Sequence, residues 1–106
     1  MKVDYKDNYA KVYLPDKLAV FNRNIEVFEH TMQDLYIKGY KKVVLDFTSL
    51  KRIDTRGLSS LLIYQKKFKD RGGEIIITNI SFSNIREKFR LIELRRVINI
   101  LDEEAV

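Results

Sequence analysis

Apolar residues recur along this chain at two spacings, and each spacing marks a kind of element. Val3–Tyr5 and Tyr9–Leu14 are apolar and β-favouring, and the polar Lys6-Asp7-Asn8 between them reads as the turn of a hairpin. Pro15 ends the second strand. Ile25, Phe28, Met32, Leu35 and Tyr36 predict an amphipathic helix, capped by Asn22 or Asn24 and stopped by Gly39. Lys42–Phe47 (KVVLDF) is a nearly continuous apolar run, the pattern of a strand covered on both faces. A second helix follows Thr55, with Leu58, Leu61, Leu62 and Phe68 on one side. The Arg71-Gly72-Gly73 turn then leads to another buried run, Glu74–Thr78 (EIIIT). Helical spacing returns over 82–92, with Phe82, Ile85, Phe89 and Ile92. Val97–Leu101 (VINIL) is the last strand, and 102–106 reads as a short acidic tail.

The predicted order is β-β-α-β-α-β-α-β. Helices alternating with buried strands argue for right-handed βαβ crossovers, hence a mostly parallel sheet made mixed by the N-terminal hairpin. The fold class is α/β. The strand order within the sheet does not follow from this pattern.

Composition narrows the function. The 106 residues carry no repeat or linker, so residues 1–106 read as a single domain. An apolar fraction of 45% and a charged fraction of 33% describe a globular chain with a core. With no cysteine there is no disulfide framework, which suits a cytoplasmic location, and with one histidine a transition-metal site is not expected. The charged start MKVDYKDNYAKVYL does not resemble a signal peptide, and no stretch has the apolar length of a membrane span. The net charge of +5 is ordinary for solubility. Arg86, Lys88, Arg90, Arg95 and Arg96 are interleaved with Glu87 and Glu93, a pattern of surface ion pairing rather than a nucleic-acid stripe. Lys66, Lys67, Lys69 and Arg71 read as a solvated cluster that complements the end of the second helix. Tyr9, Tyr13 and Tyr64 read as candidates for exposure but form no stacking platform, and His30 reads as a surface or boundary residue without a nucleophile partner. No enzyme signature and no resident cofactor are found.

The junction RIDTRGLSSLL holds the candidate chemistry. A helix starting near Arg56 leaves its first N–H groups unpaired, and Asp54 or Thr55 can cap them for about 1 kcal/mol. Gly57 admits a partner or a neighbouring backbone at close range. Read only this far, the junction is a capped helix. The same helix end also receives a phosphate well, and a threonine there presents its hydroxyl to a kinase. Phosphorylation would add about −1.5 to −2 charges, which Arg56 and the helix end can stabilise and Asp54 opposes. Asp54 can also orient the hydroxyl or help to withdraw its proton. With Thr55 at the cap, Thr55→Ala is expected to cost about 1 kcal/mol under either reading.

Several motifs stand in a characteristic order: Leu45-Asp46, Ile53-Asp54-Thr55-Arg56-Gly57-Leu58, Gly72-Gly73, Ile75–Asn79 and Val97–Leu101. Over residues 41–101 the chain resembles a STAS domain of the anti-sigma factor antagonist type, and before that it agrees in element order. The resemblance implies a STAS-like fold and a regulator of transcription by partner switching. Thr55 takes the place of the phosphoacceptor, with Asp54 and Arg56 beside it, and Gly57, Leu58, Ser59 and Leu61 fall on the docking surface. The implied partners are an anti-sigma factor that is also a GHKL-type serine/threonine kinase using ATP and Mg, and a phosphatase. A direct nucleic-acid or membrane partner is not implied. A second reading keeps the fold as a non-switching scaffold, stressosome or transporter-associated subunit, with Thr55 only a helix cap.

The chain departs from the family pattern in four places. Arg56 and Ser59 replace residues that are commonly smaller. Pro15-Asp16-Lys17-Leu18-Ala19 stands where a Gly-x-x-Asp element is usual, and Arg95-Arg96-Val97 where Ser-Gly-Leu is usual.

Overall fold

The computed structural model describes residues 1–20 and 23–101. β1 (Lys2–Tyr5) and β2 (Ala10–Tyr13) form the expected antiparallel hairpin. After α1 (Asn24–Ile37), β4 (Lys42–Asp46) pairs parallel with β2, β6 (Glu74–Thr78) with β4, and β7 (Asn99–Leu101) with β6. The five-stranded order is β1-β2-β4-β6-β7. Two short strands absent from the sequence reading, β3 (Lys17–Leu18) and β5 (Arg52–Ile53), form a separate parallel pair. Two residues are too few to show an alternating pattern, so this pair left no periodic signal.

The alternation of side chains decides which face is covered. Val12, Leu45, Ile77 and Ile100 are register partners across four strands, and they share one core cluster with residues from α1, α2 (Thr55–Asp70) and α3 (Ser83–Leu91). All three helices therefore pack on one face of the sheet. β4 is nonetheless covered on both faces, as its apolar run predicts: Val43 to Asp46 are all buried. Val44 and Ile76 point away from that cluster, yet they remain only 6% and 5% exposed. Across the same row sits Lys11, whose ammonium lies 3.6 Å from Asp46. Burial pushes the Asp46 carboxyl up, but hydrogen bonds from Thr48 and Asn79, with the Lys11 charge, outweigh it and hold the group below its ordinary range.

Local departures have local causes. Asn24 does not cap α1: the residue before the helix is Arg23 at φ 62°, and the Asn24 amide donates to the Lys17 carbonyl at 2.8 Å. Asn22 lies outside the described residues, as does the predicted tail. In α2 the inward face runs through Gly57, Ser60, Leu61, Tyr64, Gln65 and Phe68, which turns Leu62 outward. The polar residues on that face, Ser60, Tyr64 and Gln65, are satisfied. Gln65 donates to the Val97 carbonyl at 2.8 Å and accepts from the Ile75 amide at 2.9 Å, joining α2 to β6 and to the turn before β7. Tyr64 is buried edge-on against Phe28 and donates to the Glu29 carbonyl.

Ile92 is exposed because α3 ends at Leu91, and a 3-10 turn at Leu94–Arg96 shortens the last strand. Arg71 is not a solvated cation. Its guanidinium lies 3.6 Å from the centre of the Tyr36 ring and donates to the Tyr40 carbonyl.

Candidate functional site

The pair of short strands fixes where α2 begins. Lys51 and Arg52 donate their amides to the Asp16 carbonyl, and the Asp54 amide reaches the Leu18 carbonyl at 3.3 Å. Gly57 then brings the first turn of α2 against the same loop. A β-carbon on Gly57 would stand 2.4 Å from the Leu18 carbonyl oxygen and 2.9 Å from Ile53. The close approach anticipated at Gly57 is thus made by a neighbouring backbone. Gly57→Ala should cost about 1–3 kcal/mol in urea denaturation, because a rigid carbonyl must give way and the better helix propensity of alanine recovers only part of that.

Asp54 is the cap. Its Oδ1 accepts from the Gly57 amide at 2.7 Å, and its Oδ2 accepts from the Val20 amide at 3.1 Å, which fastens the β3–α1 loop to the start of α2. The Gly57 amide is the main cause that lowers the Asp54 pKa, with the Val20 amide and the Lys88 charge adding to it. Lys88 comes from α3 and donates to the Ile53 carbonyl at 2.7 Å. A hollow of about 250 Å³ between Asp54, Ala19 and α3 separates these elements.

Thr55 is the first residue of α2 and is exposed. Thr55→Ala should therefore change stability by less than about 0.5 kcal/mol, whereas Asp54→Ala should lose about 1–2 kcal/mol. The expected cap loss at Thr55 is corrected by this geometry. A carboxyl whose folded pKa is lowered stabilises the protein above its unfolded pKa and loses that contribution as pH falls through the folded value. The stability gap between the parent and Asp54→Ala, followed by denaturant melts, should hold above about pH 5 and shrink below about pH 4.

Arg56 turns away along the helix. Its guanidinium lies 3.3 Å from the Glu29 carboxylate of α1, which also accepts from the Ser60 hydroxyl at 2.7 Å. Glu29 and Ser60 were not singled out in the sequence, since residues about thirty apart on two helices leave no spacing signal, and Tyr64, read there as a candidate for exposure, is buried beside them. Of the residues expected to dock a partner, Gly57 is buried and Leu61 is 0% exposed within the core, so neither lies on the outer surface. Leu58 is half-buried and Ser59 is exposed. The outward face of α2 instead runs through Thr55, Ser59, Leu62 and Ile63, with exposed Val20 joined to its start through Asp54.

The sequence matches the STAS domain family over residues 7–105. The chain belongs to the STAS domain family. Its fold is shared with a proposed anti-sigma factor antagonist from Thermotoga maritima, TM1081, in a crystal structure. The TM-score is 0.82 at 20% identity, over 95% of this chain and 85% of that one. It is also shared with the anti-sigma factor antagonist SpoIIAA in its unphosphorylated form, with a TM-score of 0.74 at 15% identity over 97% and 88% of the two chains. The Bacillus cell fate determinant SpoIIAA in its phosphorylated form gives 0.73 at 16% identity, over 96% and 91%. The α/β reading and the recognition of a STAS domain are both upheld. Among the described residues no group of three His, Cys, Asp or Glu side chains is placed to hold a metal ion, and no helix is long and apolar enough to cross a membrane.

Proposed function

We propose that this STAS domain is an anti-sigma factor antagonist that binds a GHKL-type kinase and is switched off by phosphorylation at Thr55. The observation that carries the reading is an exposed hydroxyl on the first residue of α2, directly after a carboxylate that pins this helix end to two loops. In the reaction the Thr55 oxygen would attack the γ-phosphorus of a kinase-bound ATP, releasing ADP, and the hydroxyl proton would leave to solvent or to a base of the kinase. Asp54 is a weak base for that proton because its pKa is lowered. Its part in the proposal is to present Thr55.

The same capping carboxylate explains why the phosphate would act outward. Asp54 already takes the Gly57 amide at the helix end, and Arg56 is drawn to Glu29. A phosphate on Thr55 meets a like charge beside it, so its charge falls on the docking face formed with Ser59, Leu62, Ile63 and Val20. A partner that packs apolar surface there would be expelled, and a phosphatase would restore binding. The matching test is capture by the tagged protein from its own cells with and without ATP and Mg. Nucleotide-dependent recovery of a GHKL kinase supports the proposal.

The Arg56–Glu29 pair favours one second reading, because it ties the start of α2 to α1 and puts a long cation beside the acceptor. In that reading the domain is a non-switching scaffold or transporter-associated subunit. Stable, nucleotide-independent recovery with scaffold or membrane proteins would point there and away from the switch.

A further inference from the structure

The hollow of about 250 Å³ at the start of α2 has an apolar floor of Ala19, Ile53 and Ile85, all buried. It is smaller than the roughly 300–1,000 Å³ of small-molecule pockets, and its size suits a single side chain of a partner. Ala19 leads into exposed Val20 and Asp54 into Thr55, so the hollow and the docking face share an edge. Exposed Arg52, Asn84 and Lys88 form its rim. Lys51 is held beside them. Its carbonyl accepts from the Asn84 side chain at 2.7 Å, and its ammonium lies 5.7 Å from the centre of the Phe82 ring. None of these three cations is in an ion pair among the described residues. Asp16 offers Lys51 and Arg52 only its backbone carbonyl, and the Asp54 oxygens take the Gly57 and Val20 amides. Lys88 donates to the Ile53 carbonyl, whereas the Arg52 guanidinium has no partner among the described residues. Arg90 and Arg96, by contrast, hold Glu87 and Glu93, the ion pairing expected of that stretch.

We propose that Arg52 is a recognition residue for the kinase partner, which presents a glutamate side chain to this hollow. The inference rests on the switching reading and names the chemistry of its partner. The methylene stem of the glutamate would lie on Ala19, Ile53 and Ile85, and its carboxylate would take the planar fork of Arg52. Lys51 and Lys88 add positive potential around that contact, which steers an acidic edge toward Thr55. The arrangement also sharpens the switch. A phosphate on Thr55 would meet the partner's carboxylate with like charge, so the edge that attracts the unphosphorylated form opposes the phosphorylated one.

The test is calorimetric binding of the full chain to the purified GHKL kinase recovered by capture, with Mg and a non-hydrolysable ATP analogue. Arg52→Gln should weaken binding about tenfold and Arg52→Glu about a hundredfold. Both variants should melt in urea like the parent, because the Arg52 side chain is exposed and holds nothing among the described residues. Lys69→Glu, the same charge reversal in the last turn of α2, should change affinity less than about twofold. Exchange of one kinase glutamate for lysine should restore binding to Arg52→Glu. A kinase that binds Arg52→Glu like the parent overturns this inference and leaves the switching reading standing. An equal loss in Lys69→Glu does the same, since it would mark a response to net charge alone. A loss that appears only with the nucleotide analogue present would assign Arg52 to the ATP phosphates and also overturn the glutamate contact. Recovery of no kinase overturns the switching reading, and this inference with it.

Discussion

Thr55→Asp is expected to weaken capture of the proposed kinase partner by about a hundredfold or more while leaving the folded state about as stable as the parent. An uncompensated charge enclosed in an interface costs roughly 3–5 kcal/mol, and each 1.4 kcal/mol is about tenfold in affinity. The same charge at the first residue of α2 lies at the positive end of the helix dipole, worth up to about 1 kcal/mol, which offsets repulsion from Asp54. Thr55 is exposed, so no packing is lost. The loss therefore falls on binding and not on folding, which separates a docking role from a structural one. Thr55→Ala should bind like the parent and accept no phosphate. Calorimetric binding with ATP present, beside a urea melt of each variant, measures both quantities. Parent-like binding by Thr55→Asp would remove Thr55 from the docking face.

The second large effect concerns the glycine pair after α2. Gly73→Ala should cost about 3 kcal/mol or more, because its β-carbon would lie 1.9 Å from the Lys41 carbonyl oxygen and 2.7 Å from its carbon. Those atoms are main chain at the head of β4, and Lys41 accepts the Glu74 amide that begins the β4–β6 pairing. No side-chain movement can relieve the contact. Gly72→Ala meets nothing within 4 Å, and its φ of +83° makes the cost only about 1–2 kcal/mol. Equilibrium denaturation of the two variants should show the larger loss at Gly73. Equal losses would mean that the β4–β6 edge yields more readily than this geometry allows.

That glycine pair shows how far the sequence could be read. Gly-Gly announced a turn, and a turn is found, but the need for the second glycine arises from Lys41, far earlier in the chain. The long strands and all three helices were legible because each buries enough residues to establish a period. Leu62 was assigned inward because leucine counts as apolar wherever it falls. The inner face of α2 instead accepts Ser60 and Gln65, whose hydrogen bonds come from distant segments. At the site, the Asp54-Thr55 junction was recognisable from residue types alone. Which of the two caps the helix was not, since Asp and Thr are both good caps. The structure settles it through the Gly57 and Val20 amides. The docking positions Gly57 and Leu61 were carried over from a motif, and a motif records order along the chain rather than which side of the helix faces water. The Arg56–Glu29 pair had no sequence signature at all.

The most direct test of the switch is phosphopeptide mapping of the protein recovered from its own growing and stressed cells. A protease other than trypsin is needed, because Lys51, Arg52 and Arg56 bracket the segment too closely. A phosphate on Thr55 whose occupancy changes with condition is the predicted result. An abundant protein that carries no phosphate on Thr55 under any condition would contradict the account and leave Asp54-Thr55 as the structural start of α2.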